Sequence, residues 1–210
     1  YGAAATGFFS WRCRLADLDG KNAAPTAVDG VLRLVWRAVA AAYPAARKAT
    51  IVEWWAHTRE HGGGHALHYD SVPGRRAGDA PRHPVVSTVT FVDASCGGPT
   101  VVFDQTVANK TATRAWVAAP FTNRLVAFDG SLLHGVLPGG AVAAPRARRT
   151  TFMANFWADD PRAGDAADPE ATRGASVDFP PPSRSTWPAP LLAEFEGPAR
   201  SRAAAAALPE

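Results

Sequence analysis

From Thr50 onward the chain is built of short runs rich in β-branched and aromatic residues, each closed by Gly, Pro or Asp turn signals. Ile51, Val52, Trp54 and Trp55 begin the series. Val85 to Val92 alternates Val86, Thr88, Thr90 and Val92 with Val85, Ser87, Val89 and Phe91, the pattern of a central strand. Gly97-Gly98-Pro99 turns the chain into Thr100 to Phe103. Further strands are expected at Thr113 to Val117 and Arg124 to Phe128, then a tight Asp129-Gly130 turn, an extended Leu132 to Val136 and a last strand from Arg149 to Trp157. Only one strong helical stretch precedes them. Val28, Val31, Leu32, Val35, Trp36 and Val39 recur at three-and-four spacing between Thr26 and Tyr43, and Pro44 closes the run. Many short strands with one supporting helix predict a mainly β fold, a barrel or double-sheet jelly roll.

A chain of 210 residues, 47% of them apolar, is the size of one domain with one core. The expected organisation is an N-terminal lead-in and supporting helix over 1–48, a β core over 49–157 and a Pro- and Ala-rich extension over 158–210, partly docked on the core. No apolar run approaches the ~20 residues that span a bilayer. The net charge is +3, and the basic residues fall in separate groups, Arg75-Arg76 and Arg146, Arg148 and Arg149, with acids between them. That pattern disfavours a nucleic-acid partner. Cys13 and Cys96 are too few for a disulfide framework and are expected as free thiols. The chain opens at Tyr1 without a charged-then-apolar leader, so it reads as an excised domain or mature form. Neither compartment nor oligomeric state is legible.

The chemistry-bearing stretch is His65-Ala66-Leu67-His68-Tyr69-Asp70. In extended chain, residues i and i+2 share a face, so His68 and Asp70 can grip one ion together. A third ligand from His134 would complete a two-His, one-carboxylate face with open positions opposite, the arrangement of non-haem Fe(II) oxygenases. His57, His61 and His65 could add to a zinc cluster with His68, but glycines leave their geometry indefinite and no cysteine is near; they read as loop histidines. Asp93, Asp104 and Asp129 sit at turns, where Asp ordinarily forms the turn. Tyr69 is expected to point away from the metal. Trp54, Trp116 and Trp157 read as core, and Arg75, Arg76 and Arg82 as a solvated charge run.

Taken together, His68-Tyr69-Asp70, Gly97-Gly98-Pro99-Thr100, Phe128-Asp129-Gly130-Ser131-Leu132-Leu133-His134-Gly135-Val136 and Arg149-Thr150-Thr151 resemble the 2-oxoglutarate- and Fe(II)-dependent dioxygenase family. The core is most similar to the prolyl-hydroxylase-like group. The resemblance runs from Ile51 to Trp157, about half the chain. It implies a double-stranded β-helix, a cupin-like jelly-roll barrel, with His68, Asp70 and His134 as the catalytic Fe(II) ligands. It implies Arg149, with Thr151 on the same face, as the anchor of the distal carboxylate of 2-oxoglutarate. Oxygen would be the second cosubstrate and ascorbate an accessory reductant; the products would be a hydroxylated substrate, succinate and CO2. A protein or peptide side chain is the leading substrate, a small molecule the next. His57 or Trp55 would face the cosubstrate pocket.

One departure stands out: the family often has fewer residues between the second His and the basic residue than lie here between His134 and Arg149. Arg148, paired with Thr150, is therefore a rival. Alternation favours Arg149, whose face carries Thr151, Met153 and Asn155, while Phe152, Ala154 and Phe156 form a packing set. Two other readings remain open at this point, a cupin-like metal enzyme that does not use 2-oxoglutarate and a non-catalytic metal-binding interaction module. The 71–84 loop and the C-terminal extension are the expected determinants of substrate.

Overall fold

The computed structural model describes residues 7–18, 26–60, 64–72, 74, 78–139, 147–161 and 175–178. The expected polar turn at 19–22, Gly62 and Gly63, His61, Arg75 and Arg76, Arg146 and the apolar residues Trp187, Leu191, Leu192 and Phe195 lie outside them.

After the strand β1 (Gly7–Arg14) and one helical turn, α1 (Leu15–Leu18), the helix α2 spans Ala27–Ala42. It starts where Thr26 can cap it: Asp29 N–H donates to Thr26 Oγ1 at 3.2 Å and Thr26 N–H donates to Asp29 Oδ2 at 2.7 Å, a reciprocal box that satisfies two otherwise orphaned donors. Leu32, Val35 and Val39 are buried, each worth roughly 1.5–3 kcal/mol of apolar burial. Val31, expected in the apolar stripe, is 38% exposed, because the stripe that packs is narrower than the sequence pattern suggests. The Trp36 ring lies 5.2 Å from that of Phe156, which joins the helix to the sheet beneath it.

That sheet has six strands in the order β10-β1-β2-β9-β4-β7, where β2 is Ile51–Glu60, β4 Val86–Ala94, β7 Leu125–Phe128, β9 Arg148–Trp157 and β10 Ala175–Asp178. Its spine is the β2–β9 ladder, antiparallel from Ile51 opposite Trp157 to Glu60 opposite Arg148. Alternation divides β9 cleanly. Phe152, Ala154 and Phe156 pack with Val52, Val86, Leu32, Val35 and Val39 on the helix side, so Arg149, Thr151, Met153 and Asn155 face the other way. The N-terminal segment belongs to this sheet: β1 pairs with β2, and Trp11 stacks on its register partner Trp54 at 4.8 Å.

A second sheet of four strands, in the order β3-β8-β5-β6, is made of β3 (His65–His68), β5 (Thr100–Phe103), β6 (Ala115–Ala118) and β8 (His134–Val136). Among the described residues the protein is therefore mostly β-sheet, but the two sheets do not close into the expected barrel. Backbone ladders run within each sheet, and side chains meet between them, as in packed-sheet architectures. Trp116 departs from the sequence expectation: it lies on β6, the end strand of this sheet among the described residues, and is 53% exposed. No helix among the described residues is long and apolar enough to cross a membrane.

Candidate functional site

β3 and β8 bring His68 and His134 together as direct register partners, with ring centroids 4.3 Å apart. Each imidazole is oriented by its own strand. His68 Nδ1 lies 2.8 Å from the Ala66 carbonyl and His134 Nδ1 3.0 Å from the Leu132 carbonyl. A carbonyl oxygen only accepts, so each Nδ1 carries a hydrogen, which leaves Nε2 as the ring atom that can serve a metal. Asp70, two residues beyond β3, completes the group: its Oδ1 is 3.7 Å from His68 Nε2 and its Oδ2 3.6 Å from His134 Nε2. One ligand atom from each residue lies within 4.8 Å of the others. Ligands about 2.1 Å from a shared ion sit roughly 3.0–3.4 Å apart at angles of 90–110°, so a small inward movement suffices to hold one. Two imidazoles and one carboxylate fit a divalent transition metal, Fe(II) among them.

Burial pushes the Asp70 carboxyl up, but the neighbouring His134 and His68 imidazoles and hydrogen bonds from Ser87 and Asn155 outweigh it, so its pKa falls below the ordinary value. It is thus a carboxylate at neutral pH. Ser87 Oγ donates to Oδ2 at 2.7 Å and Asn155 Nδ2 donates to the same oxygen at 3.0 Å. The Asp70 main-chain carbonyl accepts from His83 Nδ1 at 2.7 Å.

His68, Asp70, Ser87, His134 and Asn155 line one wall of a cavity of about 70 Å³ between the sheets. Arg149 and Thr151 line it too, and they are 3% and 2% exposed. Arg149 Nη2 donates to Thr100 Oγ1 at 3.1 Å, and its guanidinium carbon lies 4.9 Å from the centre of the Phe91 ring, a cation–π contact. Gly97 permits this placement: its φ is +95°, and a Cβ there would come within 2.7 Å of Arg149 Cδ. Arg148 is exposed on the opposite face of β9, where its main chain bonds to Ser95. Of the two rival arginines, Arg149 is the one that faces the cavity.

The remaining candidates separate by location. Asp93 caps Ser95 N–H and Asp129 receives Ser131, both turn contacts, while Asp104 receives Thr113 and Arg114 across the loop between β5 and β6. The Thr113 side chain and Arg114 N–H hold the Asp104 carboxyl down to about 2. His57 and His65 are not loop residues: they lie on β2 and β3 and line the cavity with Trp55. The glycines that made their geometry indefinite in sequence begin only beyond β2. Tyr69 Oη accepts from Gln105 Nε2 at 3.2 Å. Arg82 is no solvated charge, since it donates to Asp159 Oδ1 at 2.8 Å and to the Pro161 carbonyl at 2.7 Å. Sequence reasoning missed the Ser87 and Asn155 bonds to Asp70 and the Thr100 bond to Arg149. Their signal was weak but present, a polar residue on the inward face of an otherwise apolar strand.

No known protein family's sequence profile matches the chain, and no curated protein matches it. Among solved structures it is similar to a prolyl-4-hydroxylase from Pseudomonas putida, at 20% identity over 68% of this chain and 73% of that one, with a TM-score of 0.44. It is also similar to the capsular polysaccharide assembling protein CapF from Staphylococcus aureus, at 10% identity over 62% of this chain and 27% of that one, with a TM-score of 0.29. Neither likeness is close enough to carry a residue's role.

Proposed function

We propose that the chain is a 2-oxoglutarate- and Fe(II)-dependent oxygenase that hydroxylates its substrate with release of succinate and CO2. One observation carries the reading: a two-His, one-carboxylate group and a buried Arg149 line the same small cavity. With Fe(II) bound, such a site supplies oxidative decarboxylation of a 2-oxo acid coupled to insertion of one oxygen atom into a C–H bond.

The chain's own residues then divide the work. His68 and His134 hold the ion through Nε2, and the Asp70 carboxylate offsets its charge. Arg149 pairs with the distal carboxylate of 2-oxoglutarate through its planar fork, which a lysine would replace with a point charge. Thr151 and Thr100 offer hydroxyls beside it. Val89, Met153 and Val136 exclude water from the remaining wall, which strengthens each of these charge interactions. The motif resemblance supports the double-stranded β-helix arrangement of the two sheets and a protein or peptide side chain as substrate.

The decisive experiment is anaerobic titration of Fe(II)-loaded protein with 2-oxoglutarate, observing the visible charge-transfer band of a chelated 2-oxo acid. A saturable band weakened by Arg149→Ala is expected. Iron demonstrably bound with no such band would overturn the 2-oxoglutarate reading and favour a cupin-like metal enzyme.

A further inference from the structure

We propose that Ser87 and Asn155 are positioning residues that restrict Asp70 to coordinating a metal through a single oxygen, Oδ1, and so keep one more coordination position open. The inference rests on the metal ligands of the proposed function and is independent of its cosubstrate.

A carboxylate oxygen offers two lone pairs, and on Oδ2 both have donors, Ser87 Oγ at 2.7 Å and Asn155 Nδ2 at 3.0 Å. Oδ1 is left to turn toward the ion. The two donors do not drift, because Ser87 and Asn155 are register partners on the adjacent strands β4 and β9 and are 1% and 3% exposed. The Asp70 main chain is held as well, through its carbonyl and the His83 ring at 2.7 Å. Asp70 is thus clasped by the large sheet while both histidines come from the small one. Two-oxygen coordination would require Oδ2 to give up one of these bonds. Carboxylates bind metals in either mode when nothing holds the second oxygen. With three single-atom protein ligands an octahedral ion keeps three further positions; a two-oxygen Asp70 would leave two.

Mn(II) is the probe, with its affinity and the water-proton relaxation per bound ion measured without 2-oxoglutarate on wild type, Ser87→Ala, Ser87→Thr and the double variant S87A/N155A. The double variant is expected to retain affinity within about 100-fold and to lose about one third of the relaxation per bound ion, the loss of one water in three. Ser87→Thr keeps the donor and should behave as wild type, while Ser87→Ala moves part of the way. Unchanged relaxation in a folded, Mn(II)-binding double variant overturns the proposal. So does a loss of affinity beyond that limit with the circular dichroism retained, since the bonds would then support ligation itself. If the double variant does not fold, the Ser87→Ala and Ser87→Thr pair decides by the same readout. Wild type that binds no Mn(II) overturns the metal centre as well; binding without the 2-oxoglutarate band overturns the oxygenase reading alone.

Discussion

His134 on β8 lies directly opposite His68 on β3, and the ladder between these short strands sets their ring centroids 4.3 Å apart. The pairing register by itself therefore brings the two imidazoles together. Removing either ring should abolish tight binding while leaving the fold, because the main core cluster lies around α2 and the large sheet. For His134→Ala we expect Mn(II) or Co(II) affinity to fall by more than about 100-fold, beyond the range usual for outer residues of metal sites. Isothermal titration together with circular dichroism checks this.

Arg149 is buried and Arg148 is exposed on the other face, so the two should differ sharply toward a dicarboxylate. Arg149→Lys keeps the charge but loses the fork, and should raise the Kd for 2-oxoglutarate on Mn(II)-loaded protein by about 10-fold or more, roughly 1.4 kcal/mol. Arg148→Ala should leave it nearly unchanged. The opposite result would reverse the assignment of faces.

Two glycine-to-alanine changes should have opposite signs. At Gly97, with φ at +95° and Arg149 Cδ 2.7 Å from the new Cβ, Ala should cost about 1–3 kcal/mol and also weaken 2-oxoglutarate binding. At Gly30, inside α2 with open space around the position, Ala should stabilise by about 0.5–1 kcal/mol. Denaturant midpoints measure both.

Cys13 and Cys96 are free thiols and should react unequally. Burial, with Asp29 and Asp17 adding to it, pushes the Cys13 thiol up to about 11. Burial and Asp93 raise Cys96, which Arg149 partly counters. Alkylation of Cys13 at pH 8 should be far slower than that of a peptide thiol and should accelerate as the pH approaches 11. The unfolded thiol loses its proton near pH 8.5–9 while folded Cys13 keeps it, so this contribution to stability is complete below that range and is lost as pH rises through about 11. Cys13→Ala should flatten the alkaline decline.

Much of the site was legible because strand chemistry is local. The two-residue period put Arg149, Thr151, Met153 and Asn155 on one face of β9 and Phe152, Ala154 and Phe156 on the other, and the structure keeps that division. The helix was readable for the same reason, its start within one residue of Thr26. Residues whose surroundings come from distant chain were not readable. Trp116 looked like core and is exposed, since its strand β6 lies at the end of the small sheet, and which strand takes the edge is decided by long-range pairing.

Local alternation and turn chemistry in the sequence determined the main strands between Ile51 and Trp157, which faces they present and which side chains could serve as ligands, but not β10. Tertiary structure alone decided that the strands divide into two sheets, that β1 joins the larger one and that His57 and His65 enter the cavity. It also decided that Ser87 and Asn155 meet on one oxygen of Asp70. Pairing partners and register are set by the balance of long-range burial and hydrogen bonding, and no window of neighbouring residues contains that information.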